Sequence, residues 1–99
     1  MSFSTHVLNA VTGRPAAGVP VRLERGGQVV AEGRTDADGR LKGWNPEAGV
    51  HRVVFDTGAY LDDTFYPEVV VTFTVTDPDQ HYHVPLLLSP YAYSTYRGS

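Results

Sequence analysis

Apolar and polar residues alternate along most of this chain with the period of two that marks half-buried strands. From Phe3 to Ala10 the alternation sets Ser4, His6 and Leu8 on one face against Thr5 and Val7 on the other. Val19 to Arg25 is clearer: Val19, Val21 and Leu23 point one way, Pro20, Arg22 and Glu24 the other. Gly26-Gly27 is a two-residue hairpin signal, and Gln28 to Thr35 is the return strand. His51 to Asp56 alternates again. In Val69 to Thr76, Val69, Val71, Phe73 and Val75 face inward and Val70, Thr72, Thr74 and Thr76 outward. A final hairpin-like pair is expected over His81–Leu88 and Tyr91–Tyr96.

Turn chemistry separates these runs. Thr12-Gly13-Arg14-Pro15, Asp36-Ala37-Asp38-Gly39 and Asp77-Pro78-Asp79 each combine side chains that hydrogen-bond their own backbone with a residue of special φ. The second delivers Arg40 at the head of a short segment that runs to Gly43, before Trp44 to Gly49 breaks the pattern. Gly58 to Phe65 is the one candidate helix, with room for about two turns. Seven or eight short strands with regular turns predict an all-β antiparallel β-sandwich with one short helix. Neither a linker nor a repeat divides it, so residues 1–99 are expected to form a single domain.

Composition narrows the function. A chain of 99 residues buries only about 60–65% of its unfolded surface, so self-association is a plausible further source of stability. The formal charge of −3 and the lack of a basic run argue against nucleic acid. Without cysteine, disulfide staples and thiol catalysis are excluded. The start of the chain lacks a basic segment followed by an apolar one, and no run approaches the roughly 18 apolar residues of a membrane span. A soluble, cytoplasmic protein is the expectation.

Few residues carry chemistry by pattern alone. His81 and His83 share a strand face, and with a third ligand such as His6 they would make a zinc site; no HExxH motif supports one. Asp36-x-Asp38-Gly39 has the start of a calcium loop but not its continuation. No serine sits in a GxSxG elbow. A metal is therefore not expected. His6, Arg40 and a strand histidine, if the fold brought them together, would form an anion trap containing a general base.

Several blocks together carry a resemblance. They are Ser4-Thr5-His6-Val7-Leu8, Thr12-Gly13-Arg14-Pro15-Ala16, Thr35-Asp36-Ala37-Asp38-Gly39-Arg40 and Phe65-Tyr66-Pro67-Glu68-Val69, then Tyr82-His83-Val84-Pro85-Leu86-Leu87-Leu88-Ser89-Pro90 and the closing Tyr96-Arg97-Gly98-Ser99. Spread over nearly the whole chain, they resemble the 5-hydroxyisourate hydrolases, the enzymatic branch of the transthyretin-like proteins. The resemblance implies a transthyretin-like sandwich and a catalytic set of His6, Arg40, His83 and Ser99. It also implies substrate binding by His6, Arg40, Tyr96, Arg97 and Gly98, with His81 only a neighbour of the set.

The implied reaction opens 5-hydroxyisourate, a product of urate oxidation, to 2-oxo-4-hydroxy-4-carboxy-5-ureidoimidazoline without a cofactor. Either histidine could be the base. The implied assembly is a homotetramer, a dimer of dimers, with the sites where two dimers meet. Two alternatives belong to other classes. A transthyretin-like carrier would hold a flat small molecule in the same groove without turning it over, and it calls for an apolar channel rather than two histidines and an arginine. A structural or adhesive module would be expected with a secretion signal or neighbouring domains.

Overall fold

The computed structural model describes residues 2–99, so the first residue of the expected domain lies outside them. Ten strands among the described residues form two sheets. In chain order they are β1 (Ser2–Asn9), β2 (Arg14–Pro15), β3 (Pro20–Arg25), β4 (Gln28–Arg34), β5 (Arg40–Trp44), β6 (Gly49–Phe55), β7 (Val69–Val75), β8 (His81–His83), β9 (Leu86–Leu88) and β10 (Tyr93–Thr95).

One sheet runs β4-β3-β6-β7 and is wholly antiparallel. Its first hairpin closes through Gly26 and Gly27, whose φ values of 60° and 81° are those of the tight turn that matches strand twist. The other sheet is built around β1, which pairs with β2 and β5 antiparallel and with β8 and β9 parallel. The sandwich is thus antiparallel in one layer and mixed in the other. Parallel partners need a long connection, and here that connection includes the entire opposite sheet.

Alternation decides the core. Phe3, Thr5 and Val7 of β1, Val21 and Leu23 of β3 and Leu86 and Leu88 of β9 are buried, while Ser4, His6 and Leu8 stand on the outer face. Phe3 joins the layers, its ring stacked on Trp44 at 5.7 Å and on Phe73 of the opposite sheet at 5.5 Å. Trp44 reaches this position through a bulge: Phe3 pairs with Trp44 but Ser4 with Lys42, so Gly43 is the extra residue. Strict alternation would have put Trp44 on the same side as Lys42.

Two elements differ from expectation. The helix contracts to a single 3-10 turn, Thr57–Ala59. The turn's own bonds end at Tyr60 and Leu61, whose N–H groups donate to Thr57 O at 3.1 and 2.9 Å. The flanking groups bond to distant carbonyls: Gly58 N–H to Pro67 O at 2.8 Å, Phe65 N–H to Pro90 O at 2.7 Å and Thr57 Oγ1 to Tyr66 O at 2.5 Å. The expected strand His81–Leu88 splits at Val84-Pro85, since Pro85 has no N–H for the ladder. Both halves keep one register on β1, Ser4 facing His83 and Val7 facing Leu86. Thr5 Oγ1 donates to Val84 O at 2.6 Å and spans the break. The last pair is an antiparallel hairpin, with β10 shorter than expected.

Candidate active site

The outer face of β1 collects the site, because β1 lies between the strands that carry the other groups. Its antiparallel register with β5 sets His6 directly opposite Arg40 and Ser4 opposite Lys42. Its parallel register with β8 sets Ser4 opposite His83 and Ser2 opposite His81. Thus His6, Arg40 and His83, 77 positions apart along the chain from first to last, share one sheet face.

The turn before β5 aims Arg40. Asp36 Oδ1 accepts from the N–H of Asp38 at 2.8 Å and of Arg40 at 3.0 Å. The Arg40 N–H bond is the largest influence holding the Asp36 carboxyl below its usual range. Gly39, at φ 74°, lies against β1: Val7 N–H donates to its carbonyl at 2.8 Å, and a Cβ at Gly39 would come within 2.5 Å of Val7 O. Only glycine lets the turn lie that close to the strand carrying His6.

His83 is the most constrained group. Its Nδ1 lies 2.7 Å from Ser4 Oγ, and the same hydroxyl lies 2.9 Å from Nε2 of His81. Ser2 Oγ bonds Nδ1 of His81. The two imidazoles stack at 6.3 Å. Burial, then the positive charges of His81, Arg40 and His6, push the His83 pKa below the ordinary 6.5, against a smaller opposing effect of the Ser4 bond. His83 therefore stays neutral at pH values where an exposed histidine begins to charge.

The chain's tail is tied to this histidine. Gly98 bridges to His83, its N–H donating to the His83 carbonyl at 2.9 Å. A Cβ on Gly98 would overlap Cδ2 of the imidazole and lie 3.1 Å from Cγ, so the backbone passes flat against the ring. Ser99 follows and is exposed. Arg97 turns elsewhere: its guanidinium stands 4.9 Å over the ring of Tyr82, which points away from the His83 side of β8. Tyr96 and Arg97 line a cavity of about 330 Å³ between β7 and the tail, with Phe73, Tyr82, Val84 and His83 in its wall.

Of the expected residues, then, His6, Arg40, His83 and Gly98 converge, Ser99 follows Gly98 in the chain, and Tyr96 and Arg97 border the neighbouring cavity. No group of three or more His, Cys, Asp or Glu side chains that could hold a metal occurs among the described residues. His51 is a core residue, 1% exposed and stacked on Phe73. Sequence reasoning missed Ser2, Ser4 and Lys42. Alternation put them on the right face, but only the strand pairing shows that Ser2 and Ser4 meet His81 and His83 and that Lys42 stands opposite Ser4.

A profile described as the HIUase/Transthyretin family matches residues 3–98. The chain belongs to this family. It is 49% identical over 109 residues to the 5-hydroxyisourate hydrolase of Salmonella dublin, an alignment covering 98% of this chain and 80% of that protein. The structure of Klebsiella pneumoniae 5-hydroxyisourate hydrolase superposes with a TM-score of 0.90 at 34% identity, covering 99% of this chain and 93% of that one. Transthyretin from Sparus aurata superposes with a TM-score of 0.88, also at 34% identity, over 97% and 95% of the two chains. Proteins named as 5-hydroxyisourate hydrolase and as transthyretin thus share this fold.

Proposed function

We propose that this protein is a hydrolase that opens 5-hydroxyisourate to 2-oxo-4-hydroxy-4-carboxy-5-ureidoimidazoline. The observation that carries the reading is the facing pair His6–Arg40 with a neutral-tending His83 on the same sheet face. It is joined by the names of the relatives that share the fold. An apolar carrier channel would not call for this set.

In the proposed mechanism His83 takes a proton from water as the water oxygen adds to a ring carbonyl. The carbonyl carbon then releases its ring nitrogen, which takes its proton either from His6 or, where His6 only orients the attacking water, from the protonated His83. Arg40 holds the ring's oxygens and stabilises the negative charge that develops on them. Tyr96, Arg97 and Gly98 of the tail contribute substrate contacts, and Ser99 completes the catalytic set. Neither metal nor organic cofactor enters the scheme.

The site lies on an open sheet face: Arg40 is exposed and His6 and His83 are only half-buried. A homotetramer, a dimer of dimers, would supply the missing walls. The uncharged edge strand β7 offers an unpaired backbone edge for such association. One hydrolase domain over residues 1–99, acting in the cytoplasm, completes the proposal; the cysteine-free composition suits a reducing compartment.

The test generates 5-hydroxyisourate from urate and urate oxidase and follows its absorbance decay. Substoichiometric protein should accelerate the decay, and His83→Ala should lower turnover by about 100-fold or more with the fold intact. No acceleration by the folded wild-type protein would remove the hydrolase reading and favour a carrier.

A further inference from the structure

The hydroxyl of Ser4 stands between two imidazoles, 2.7 Å from Nδ1 of His83 and 2.9 Å from Nε2 of His81, and the far nitrogen of His81 is bonded to Ser2 Oγ. A hydroxyl has one proton to donate and lone pairs to accept with. Between two neutral rings this chain can therefore run in either of two directions. In one, His83 Nδ1–H donates to Ser4, Ser4 donates to His81 Nε2, and His81 Nδ1–H donates to Ser2. In the other every bond is reversed, and the outer nitrogen of His83, Nε2, carries the proton.

Charge on the face selects the first direction. The groups around His83 are His6 on β1, Arg40 on β5, His81 on β8 and the Gly98 backbone from the tail, and Lys42 stands across β1 from it, opposite Ser4. The side chains among them are cationic or able to become so. The nearby carboxylate of Asp36 is committed to the N–H groups of Asp38 and Arg40, and no ion pair among the described residues involves His83. Nε2 of His83 makes no hydrogen bond among the described residues. An N–H there would aim its positive end at a cationic face; a lone pair there is attracted by that face.

We propose that Ser4 and His81 are positioning residues that hold His83 in its Nδ1–H tautomer, leaving the Nε2 lone pair free as the proton acceptor. The catalytic consequence rests on the hydrolase reading above; the tautomer itself does not. His81 is needed because it gives Ser4 somewhere to send its proton. Protonating His81 makes both its nitrogens donors, turns the Ser4 proton onto His83 Nδ1 and removes the lone pair from Nε2.

Long-range nitrogen–proton NMR on the ¹⁵N-labelled full chain at about pH 8 reads the tautomer without substrate. His83 is expected with Nδ1 protonated and Nε2 bare; a protonated Nε2 in the wild-type protein overturns the inference. His81→Leu should move the proton to Nε2, and Ser4→Ala should abolish the Nδ1–H preference. Both should lower kcat about 10-fold or more with KM changed less than about twofold, since they impair the base rather than binding. Ser4→Thr, which keeps the hydroxyl, should restore tautomer and rate together. If His81→Leu leaves His83 in the Nδ1–H form, the role of His81 is refuted, and that reading stands even where Ser4→Ala fails to fold. Active protein with Nε2–H rejects the tautomer and spares the hydrolase; inactive protein with Nδ1–H does the reverse.

Discussion

His83 sits where burial and three positive neighbours disfavour its charged form, and two consequences follow at the scale of single residues. Its folded pKa lies below its unfolded value of 6.5. In the interval between them the unfolded chain binds more protons, so stability falls as pH drops below 6.5, and the loss is complete only once the folded pKa is passed. The same shift places the acid limb of kcat/KM, if it reports His83, below pH 6.5. Arg40→Gln removes one of the charges and should raise the His83 midpoint in an NMR titration; an unmoved midpoint would show that the Arg40 charge does not act on it. The second consequence concerns Gly98, whose backbone lies against the imidazole. Gly98→Ala must displace either ring or tail, and a misplacement on the order of 1 Å can cost about 100-fold in rate. Turnover of that variant, measured beside its thermal midpoint, separates lost positioning from lost folding.

At the scale of elements, β1 organises the molecule because it is both the core's central strand and the floor of the site. Phe3, Thr5 and Val7 hold it to the interior while Ser4 and His6 face the chemistry. Phe3 is fully buried between Trp44 and Phe73, so it couples the two sheets. Phe3→Ala should cost about 3–5 kcal/mol, the usual range for a truncated core phenylalanine. Denaturant unfolding measures it, and a loss under about 1 kcal/mol would show that the Trp44 and Phe73 rings close the gap. Because Ser4 is the next residue, a destabilised β1 should also disturb the His81–Ser4–His83 chain. The bulge at Gly43 belongs to this scale as well. It lets one short strand present Arg40 and Lys42 outward and Trp44 inward, which uninterrupted pleating does not permit.

At the scale of the whole molecule, a single protomer leaves the proposed site half-walled and the β7 edge unpaired. Sedimentation should give a particle about four times the 10.8 kDa chain mass. Specific activity should fall on dilution as that particle dissociates. A monomer with undiminished turnover per chain would mean that the open face binds substrate unaided, and the proposed assembly would be wrong.

Much of this was legible in the chain. Period-two alternation in β1, β3, β6 and β7, with Gly26-Gly27 between β3 and β4, determined an all-β sandwich and the face on which each side chain stands. The blocks around His6, Arg40 and His83 pointed to the family. Alternation is a local property and is silent about partners. Only the tertiary structure decided that β8 lies parallel to β1, so that Ser4 meets His81 and His83, and that the tail crosses His83 at Gly98. The same limit explains the elements that differ. After one turn closed on Thr57 the helix does not propagate, because Gly58 and Phe65 donate to Pro67 and Pro90 instead, and Trp44 turns inward because a bulge reverses its side. Sequence spacing fixes which way a residue points; the long-range pairing of strands fixes what it meets there.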